Sequence, residues 1–176
     1  IRFFGHFYSG KIKFLVNDLL MHIKPLAPVF LPINKYGSQA KESSLQINNA
    51  YESDEQMLIF PAGLCSRLQH GKIKDLEWKK TFIAKAVQSQ RDIIPIYFEG
   101  RNSTFFYRFA QIRKCIGLKF NIELIYLPDE MFNSKNKTFD IYIGKPIPWQ
   151  TFDKSKSLQE WAQIVKEKVY QIKKNQ

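Results

Sequence analysis

The stretch from Met57 to Gly100 does most to constrain what this chain can fold into. Two short apolar runs within it, Met57–Phe60 and Ile93–Phe98, are rich in β-branched and aromatic residues, which predicts two buried strands. The segment between them carries apolar residues at helical spacing, namely Trp78, Phe82, Ile83, Ala86 and Val87. Strand, loop, helix and strand in this order predict a parallel crossover and therefore an α/β domain.

The loop Phe60–Arg67 leaves the carboxyl end of the first predicted strand, which is where open α/β sheets place their ligand crevices. Pro61 fixes one backbone dihedral and Gly63 permits unusual ones. The turn can therefore present backbone N–H groups beside Arg67, whose fork-shaped guanidinium suits phosphates and carboxylates. The pattern predicts an anion site, although Pro-x-Gly is also typical of an ordinary tight turn.

The composition fits one packed domain spanning residues 1–176. A chain of 176 residues with 44% hydrophobic content is long enough to bury a core. No apolar run reaches the roughly 18 residues of a membrane-spanning helix, and the first residues lack the ordered regions of a signal peptide. We therefore expect a cytoplasmic protein.

The net charge of +11 indicates an anionic partner, either nucleic acid, an anionic membrane surface or an acidic protein. Charge alone does not choose among these partners. A basic nucleic-acid-binding domain is consistent with the charge, but the sequence shows no zinc spacing and no RNP-like strand. Nucleic acid is therefore the less favoured partner.

The segment Arg101–Lys114 interleaves aromatic residues with basic ones, and Asn102 or Ser103 can cap a helix there. On such a helix, basic residues flank an apolar face, so the helix can lie at an anionic bilayer surface. The predicted membrane-surface residues are Arg101, Phe105, Phe106, Arg108, Phe109 and Arg113. An amphipathic helix packed on the sheet explains the same pattern equally well.

Cys65 and Cys115 stand alone in the sequence, without paired spacing or a neighbouring histidine cluster. This pattern predicts reduced thiols and argues against a disulfide framework or a metal site. Cys65 and His70 could form a nucleophile and a base, but no third residue that would orient them is evident. The sequence indicates no cofactor.

Further periodic segments complete the predicted secondary structure. Strands are expected at 11–16, 29–33, 120–127 and 138–143, and helices at 17–22, at 38–51 and from Ser157 onwards. The strand at 120–127 rests on the alternation of Phe120, Ile122, Leu124 and Tyr126 with their neighbours.

Several segments resemble sequence blocks of the PlsC-type glycerolipid acyltransferases. The third and fourth blocks are matched by Phe60-Pro61-Ala62-Gly63 with Ser66-Arg67, by Trp78-Lys79-Lys80 and by Ile94-Pro95-Ile96. A narrower resemblance, to the haemolysin-like lyso-ornithine or glycine-lipid O-acyltransferase branch of Bacteroidetes-like bacteria, is carried by Phe14–Asp18, the Phe60–Arg67 loop, Gly100–Ser103 and Phe105–Arg108.

The resemblance implies a mixed, mostly parallel α/β sheet flanked by helices, as in glycerol-3-phosphate acyltransferases. It implies a fatty-acyl donor, which is acyl-carrier protein or acyl-CoA, and a lysolipid or amino-acid-lipid hydroxyl as the acceptor. It also implies a peripheral position on the inner face of the cytoplasmic membrane.

The resemblance assigns substrate-binding residues as well. Lys35 and Arg67 would hold the acceptor's anionic group, the Ala62–Gly63 backbone would shape the turn, and Pro95 would lie in the strand that walls the site. Lys35 stands where arginine is usual, and Ala62 stands where phosphate-specific relatives carry glutamate. An acceptor other than glycerol phosphate is therefore implied, since lysine lacks the bidentate fork of arginine.

The family's catalytic pair is missing from its expected place. Relatives use a histidine, held by an aspartate five positions later, as the base that takes the acceptor's proton. His6 and His22 lack that partner, and His70 and Asp75 match the spacing but follow the third block, so we interpret this match as chance. We expect an N-terminally truncated chain whose catalytic residues are unknown. A non-catalytic lipid-binding homologue is the alternative.

Overall fold

The computed structural model of the chain describes His6 and residues 8–16, 20–21, 23–33, 38–118 and 121–173. The chain divides into two compact units, each discontinuous in sequence. The first unit comprises Ile1–Gly63, Trp78–Asp92 and Pro148–Ala162, and the second comprises Leu64–Glu77, Ile93–Ile147 and Gln163–Gln176. A single domain over residues 1–176 stays a prediction.

A three-stranded parallel sheet forms the centre of the first unit. β1 (Ile12–Val16) lies between β2 (Phe30–Pro32) and β3 (Gln56–Leu58), and Phe14 stands opposite Phe30. Alternate residues of β1 are buried because successive side chains of a strand point to opposite faces. The rings of Phe14 and Phe30 meet edge to face, with centroids 6.1 Å apart. The sheet confirms the parallel α/β character predicted for this chain.

Two helices of the first unit follow the predicted apolar periodicity. α1 spans Ser38–Glu52, and α2 spans Thr81–Gln88. The inward face of α2 buries Phe82, Ile83 and Ala86, which share one side of a helix at this spacing. Both helices confirm the sequence prediction.

The last helix, α5 (Leu158–Ile172), begins with a capping box. The Ser157 hydroxyl accepts a hydrogen bond from the Glu160 N–H at 3.2 Å, and the Glu160 carboxylate accepts one from the Ser157 N–H at 2.8 Å. These bonds satisfy backbone donors that the first turn of a helix leaves without partners. The helix predicted from Ser157 is confirmed, and it begins in the first unit and ends in the second.

The second unit contains two antiparallel strand pairs. β4 (Arg67–Gln69) and β5 (Lys72–Lys74) form a hairpin, and β6 (Ile96–Glu99) pairs with β7 (Asp140–Ile143). The strand predicted at 138–143 is thus confirmed.

The β4–β5 hairpin was not predicted from the sequence. Its turn consists of His70 and Gly71, with φ of 47° and 75°. Two successive left-handed residues form the turn type whose twist matches that of the flanking strands. The dipeptide His-Gly is a weaker hairpin signal than Asn-Gly or Asp-Gly.

Helices make up the rest of the second unit. α3 spans Thr104–Cys115, and a 3-10 helix at Ile122–Tyr126 continues into α4 (Leu127–Phe132). The predicted cap of α3 is confirmed, because the Ser103 hydroxyl accepts a hydrogen bond from the Phe106 N–H at 3.1 Å.

The parallel crossover predicted between Met57–Phe60 and Ile93–Phe98 is wrong. β3 belongs to the parallel sheet of the first unit, whereas β6 pairs antiparallel with β7 in the second. Both apolar runs do contain strands. The ladder partner of a strand depends on residues distant in sequence, which local periodicity does not report.

The strand predicted at 120–127 is also wrong, because residues 122–126 form the 3-10 helix. The prediction rested on apolar alternation, but burial does not follow that alternation: Glu123 is fully buried and Ile125 is 70% exposed. Pro128 then occupies the first turn of α4, where a missing N–H group costs nothing.

Most of the predicted helix at 17–22 lies outside the described residues. Leu20 and Met21 are 3-10 helical, and another 3-10 helix spans Lys24–Val29, where the sequence predicted a helix end. Across the ranges that the structure describes, no helix combines the length and apolar character needed to cross a bilayer.

Candidate functional site

The first half of the Phe60–Arg67 loop is a tight turn in the first unit. The Gly63 N–H donates to the Phe60 carbonyl at 2.9 Å, and the Lys79 N–H donates to the Pro61 carbonyl at 3.1 Å. Gly63 has a φ of 69°, and a Cβ atom at this position would lie 3.0 Å from the Lys79 Nζ. Glycine is therefore favoured here by backbone conformation, since the end of the flexible Lys79 side chain can move away from a Cβ atom.

The second half of the loop belongs to the second unit, where Arg67 is nearly buried, with 12% of its side chain exposed. One guanidinium nitrogen, Nη1, donates to the carbonyls of Cys65 and Ser66 at 3.0 and 3.3 Å. The other, Nη2, donates to Glu123 Oε1 at 2.7 Å. The guanidinium also lies 5.8 Å from the ring centroid of Phe106.

Glu123 is fully buried and pairs with a second arginine. Its Oε2 lies 2.8 Å from Arg113 Nε, an ion pair whose angles do not meet those of a hydrogen bond. Arg113 in turn donates to the Leu118 carbonyl at 2.5 Å and to the Asn121 side chain at 3.1 Å. We call Arg67, Glu123 and Arg113 the ion cluster.

Three of the four segments that carry the narrower family resemblance meet in the second unit. The hydroxyls of Ser66 and Tyr107 lie 3.2 Å apart, and the Tyr107 hydroxyl accepts a hydrogen bond from the Asn102 N–H at 3.2 Å. The Asn102 side chain also lies beside the Cys65 thiol. Residues far apart in sequence thus form one polar network around the end of the loop.

Cys65 is not an activated nucleophile in this network. Burial raises the pKa of the Cys65 thiol, although Arg67 and the hydrogen bond from Asn102 act in the opposite direction. The thiolate is the reactive form of cysteine, so a raised pKa leaves Cys65 protonated near neutral pH. His70, its conceivable base, is exposed at the hairpin turn.

His70 and Asp75 match the family's spacing in sequence, but they lie at opposite ends of strand β5. His70 occupies the hairpin turn, and Asp75 follows the far end of β5, which advances about 3.3 Å per residue. His6 is exposed, and His22 lies outside the described residues.

The predicted substrate-binding residues are distributed as follows. Lys35 lies outside the described residues, while Ala62 and Gly63 belong to the first unit and Arg67 and Pro95 to the second. Ala62 is buried. Pro95 is buried beside the β6–β7 pair, where its carbonyl accepts a hydrogen bond from the Gly144 N–H at 2.9 Å. Acceptor contact by any of these residues stays a prediction.

Two of the predicted membrane-surface residues require correction. Phe106 is fully buried, and Arg113 is 12% exposed because it pairs with Glu123. The other members fit a surface better: Arg101, Phe105 and Arg108 are exposed. Phe109 is half-buried, since its ring stacks on Phe105.

The sequence analysis did not identify Glu123, Asn102 or Tyr107 as site residues. Glu123 could have been identified from the sequence, since it is the one acidic residue in the apolar run Ile122–Tyr126. An acidic residue at a buried position needs a cationic partner. Which arginines would supply that partner depends on the tertiary fold.

Comparison with known proteins decides the family. A family model described as "Acyltransferase" matches residues 2–176. The chain belongs to this acyltransferase family. The resemblance proposed from the loop and its partner segments is therefore confirmed.

Two relatives in the acyltransferase family carry the name "Lyso-glycine lipid O-acyltransferase". The protein from Bacteroides thetaiotaomicron is 56% identical over 168 residues, covering 96% of this chain and 62% of the relative. The protein from Phocaeicola vulgatus is 54% identical over 168 residues, covering 96% of this chain and 60% of the relative. The chain thus spans about 60% of the length of both relatives. No solved structure matches the chain.

The buried environment of Cys65 leads to a test of its reactivity. At neutral pH we expect iodoacetamide to alkylate Cys65 at least about tenfold more slowly than the exposed Cys115, because only the thiolate reacts. Mass spectrometry of time-resolved labelling, with Cys65→Ser and Cys115→Ser as references, measures both rates. Equal rates at the two positions would contradict the assignment.

Proposed function

We propose that this chain is part of an enzyme that transfers a fatty-acyl group to the hydroxyl of a lysolipid, with lyso-glycine lipid as the favoured acceptor. The observation that carries the proposal is the 54% and 56% identity to two lyso-glycine lipid O-acyltransferases over 96% of the chain. The proposed donor is an acyl thioester, on either acyl-carrier protein or coenzyme A.

The local structure supports this proposal at the Phe60–Arg67 loop. Acyl transfer to a hydroxyl requires an acceptor held in a fixed geometry next to the thioester, since orientation supplies a large part of the rate enhancement. The loop is fixed by a tight turn in its first half and by the ion cluster in its second. Loops that a rigid scaffold holds in place commonly carry substrate-binding groups.

An acyl-transfer assay on the complete protein tests the proposed activity. We expect transfer of a palmitoyl group from acyl-carrier protein or coenzyme A to lyso-glycine lipid, detected as the doubly acylated lipid by mass spectrometry. Lysophosphatidic acid serves as the comparison acceptor, and we expect it to react more slowly. No transfer to lyso-glycine lipid from either donor would contradict the proposal.

We also propose that the second unit contacts an anionic lipid bilayer through an apolar patch. The patch consists of side chains that are 55% to 70% exposed: Phe105, Ile112, Ile116, Ile125 and Phe132. Phe105 and Ile112 are seven residues apart on α3 and share one helix face, and Ile116, four residues further on, is the C-cap of α3. Exposed apolar patches typically mark interaction surfaces.

Ring contacts join the helices that carry the apolar patch. The Phe105 ring lies 5.3 Å from that of Tyr126, which belongs to the 3-10 helix. Phe105, Tyr126 and Phe132 also line one cleft of about 470 Å³. Phe105 therefore joins α3 to the 3-10 helix and to α4 within the patch.

Charge favours an anionic bilayer as the partner of this patch. Arg101, Arg108 and Lys114 are exposed on or beside α3. Apolar side chains that enter the head-group boundary, combined with basic residues that attract anionic lipids, are the features of an interfacial helix.

Vesicle cosedimentation tests the bilayer proposal. We expect the complete protein to bind phosphatidylglycerol vesicles, and the double variant Ile112→Ser, Ile116→Ser to bind at least about tenfold more weakly, because each buried large apolar side chain contributes about 1.5–3 kcal/mol. The matched control is Leu45→Ser, which removes a side chain that is 63% exposed on α1 of the first unit.

Two outcomes would contradict bilayer binding by the apolar patch. One is equal vesicle binding by the double variant and by Leu45→Ser. The other is salt-dependent binding to nucleic acid with none to anionic vesicles, which would favour the basic nucleic-acid-binding alternative.

A further inference from the structure

We infer that Arg67 is a positioning residue which, together with Glu123, fixes the segment Leu64–Arg67 and does not itself bind the acceptor. The inference rests on the proposed function, because that function places the Phe60–Arg67 loop beside the acceptor. It reassigns the arginine that the sequence analysis expected to contact the acceptor's anionic group.

Both Nη atoms of the Arg67 guanidinium already donate hydrogen bonds to acceptors within the second unit. Nη1 donates to two carbonyls of its own loop, those of Cys65 and Ser66, and Nη2 donates to Glu123. Only 12% of the side chain is exposed. A guanidinium used in this way shapes the backbone around it and has little surface left for a lipid head group.

Glu123 provides a fixed partner for the Arg67 guanidinium. Its side chain is fully buried, and its other oxygen pairs with Arg113, which is bonded to the Leu118 carbonyl and to Asn121. A carboxylate held between two guanidiniums has little freedom to change its rotamer. The loop is therefore tied to a rigid part of α3 and the 3-10 helix.

Two neighbouring contacts act on the same segment. The Ser66 hydroxyl lies 3.2 Å from the Tyr107 hydroxyl, and the Asn102 side chain lies beside the Cys65 thiol. Three consecutive loop residues, Cys65 to Arg67, are thus held by side chains of 102–123. We therefore expect that weakening the contacts of Arg67 disorders the segment Leu64–Arg67 more readily than it disorders the rest of the second unit.

The ion cluster itself offers a matched pair of variants. Arg67→Lys and Arg113→Lys both keep a positive charge and both replace a guanidinium that pairs with Glu123. Only Arg67 also binds the loop carbonyls, whereas Arg113 binds Leu118 and Asn121. The two variants therefore separate loosening of the loop from general loss of stability.

Hydrogen exchange of the complete protein, followed by mass spectrometry, is the first measurement. We expect peptides covering residues 64–67 to exchange at least about tenfold faster in Arg67→Lys, and within about twofold of wild type in Arg113→Lys, because local opening sets the exchange rate. Unchanged exchange in Arg67→Lys, or equal acceleration in both variants, would overturn the inference.

Steady-state kinetics of Glu123→Gln are the second measurement. The direction in which the KM for the acceptor changes shows whether Arg67 positions the loop or binds the acceptor. If Arg67 positions the loop, losing its anchor raises the KM for the acceptor and leaves the KM for the acyl donor unchanged. If Arg67 binds the acceptor directly, release from Glu123 frees the guanidinium and lowers the acceptor KM. A lowered acceptor KM would overturn the inference.

The two measurements also separate this inference from the proposed function. Absence of acyl transfer by the wild-type protein would refute the proposed function, while the exchange data would still decide whether Arg67 orders the loop. Normal acyl transfer with unchanged loop exchange in Arg67→Lys would refute the positioning role alone.

Discussion

The carboxylate of Glu123, buried between the guanidiniums of Arg67 and Arg113, holds together the part of the second unit that carries the family motifs. Burying a carboxylate without partners costs several kcal/mol, so its position is possible only because both arginines pair with it. The two arginines also donate hydrogen bonds to Cys65, Ser66, Leu118 and Asn121. Removing one member of such a buried pair typically costs about 3–5 kcal/mol.

The ion cluster lies on the inward side of α3. Phe106 and Arg113 are seven residues apart and share a helix face, as do Phe105 and Ile112. Phe106 is buried and Arg113 pairs with the buried Glu123, whereas Phe105 and Ile112 are exposed. The inward side of α3 thus contributes to ordering the segment Leu64–Arg67, and its exposed side carries part of the apolar patch that we propose contacts a bilayer.

The sequence predicted features that depend on local chemistry. The Pro-x-Gly turn, the Ser103 cap and the apolar periodicity of α2 each follow from neighbouring residues, and each is confirmed. The partner of β6 and the burial of Glu123 depend on distant residues. The order of the predicted elements therefore led to the wrong topology for β6, and apolar alternation led to the wrong secondary structure around Glu123. For the same reason, Arg67 could be identified as important but its partner could not.

A double-mutant cycle on the free energy of unfolding tests most directly whether Arg67 and Glu123 form the interaction on which this account depends. The cycle compares Arg67→Met, Glu123→Gln and the double variant with wild type by urea denaturation. We expect a coupling energy of about 0.5–3 kcal/mol, as for other directly paired residues. A coupling energy within about 0.5 kcal/mol of zero, the range of independent sites, would contradict the account.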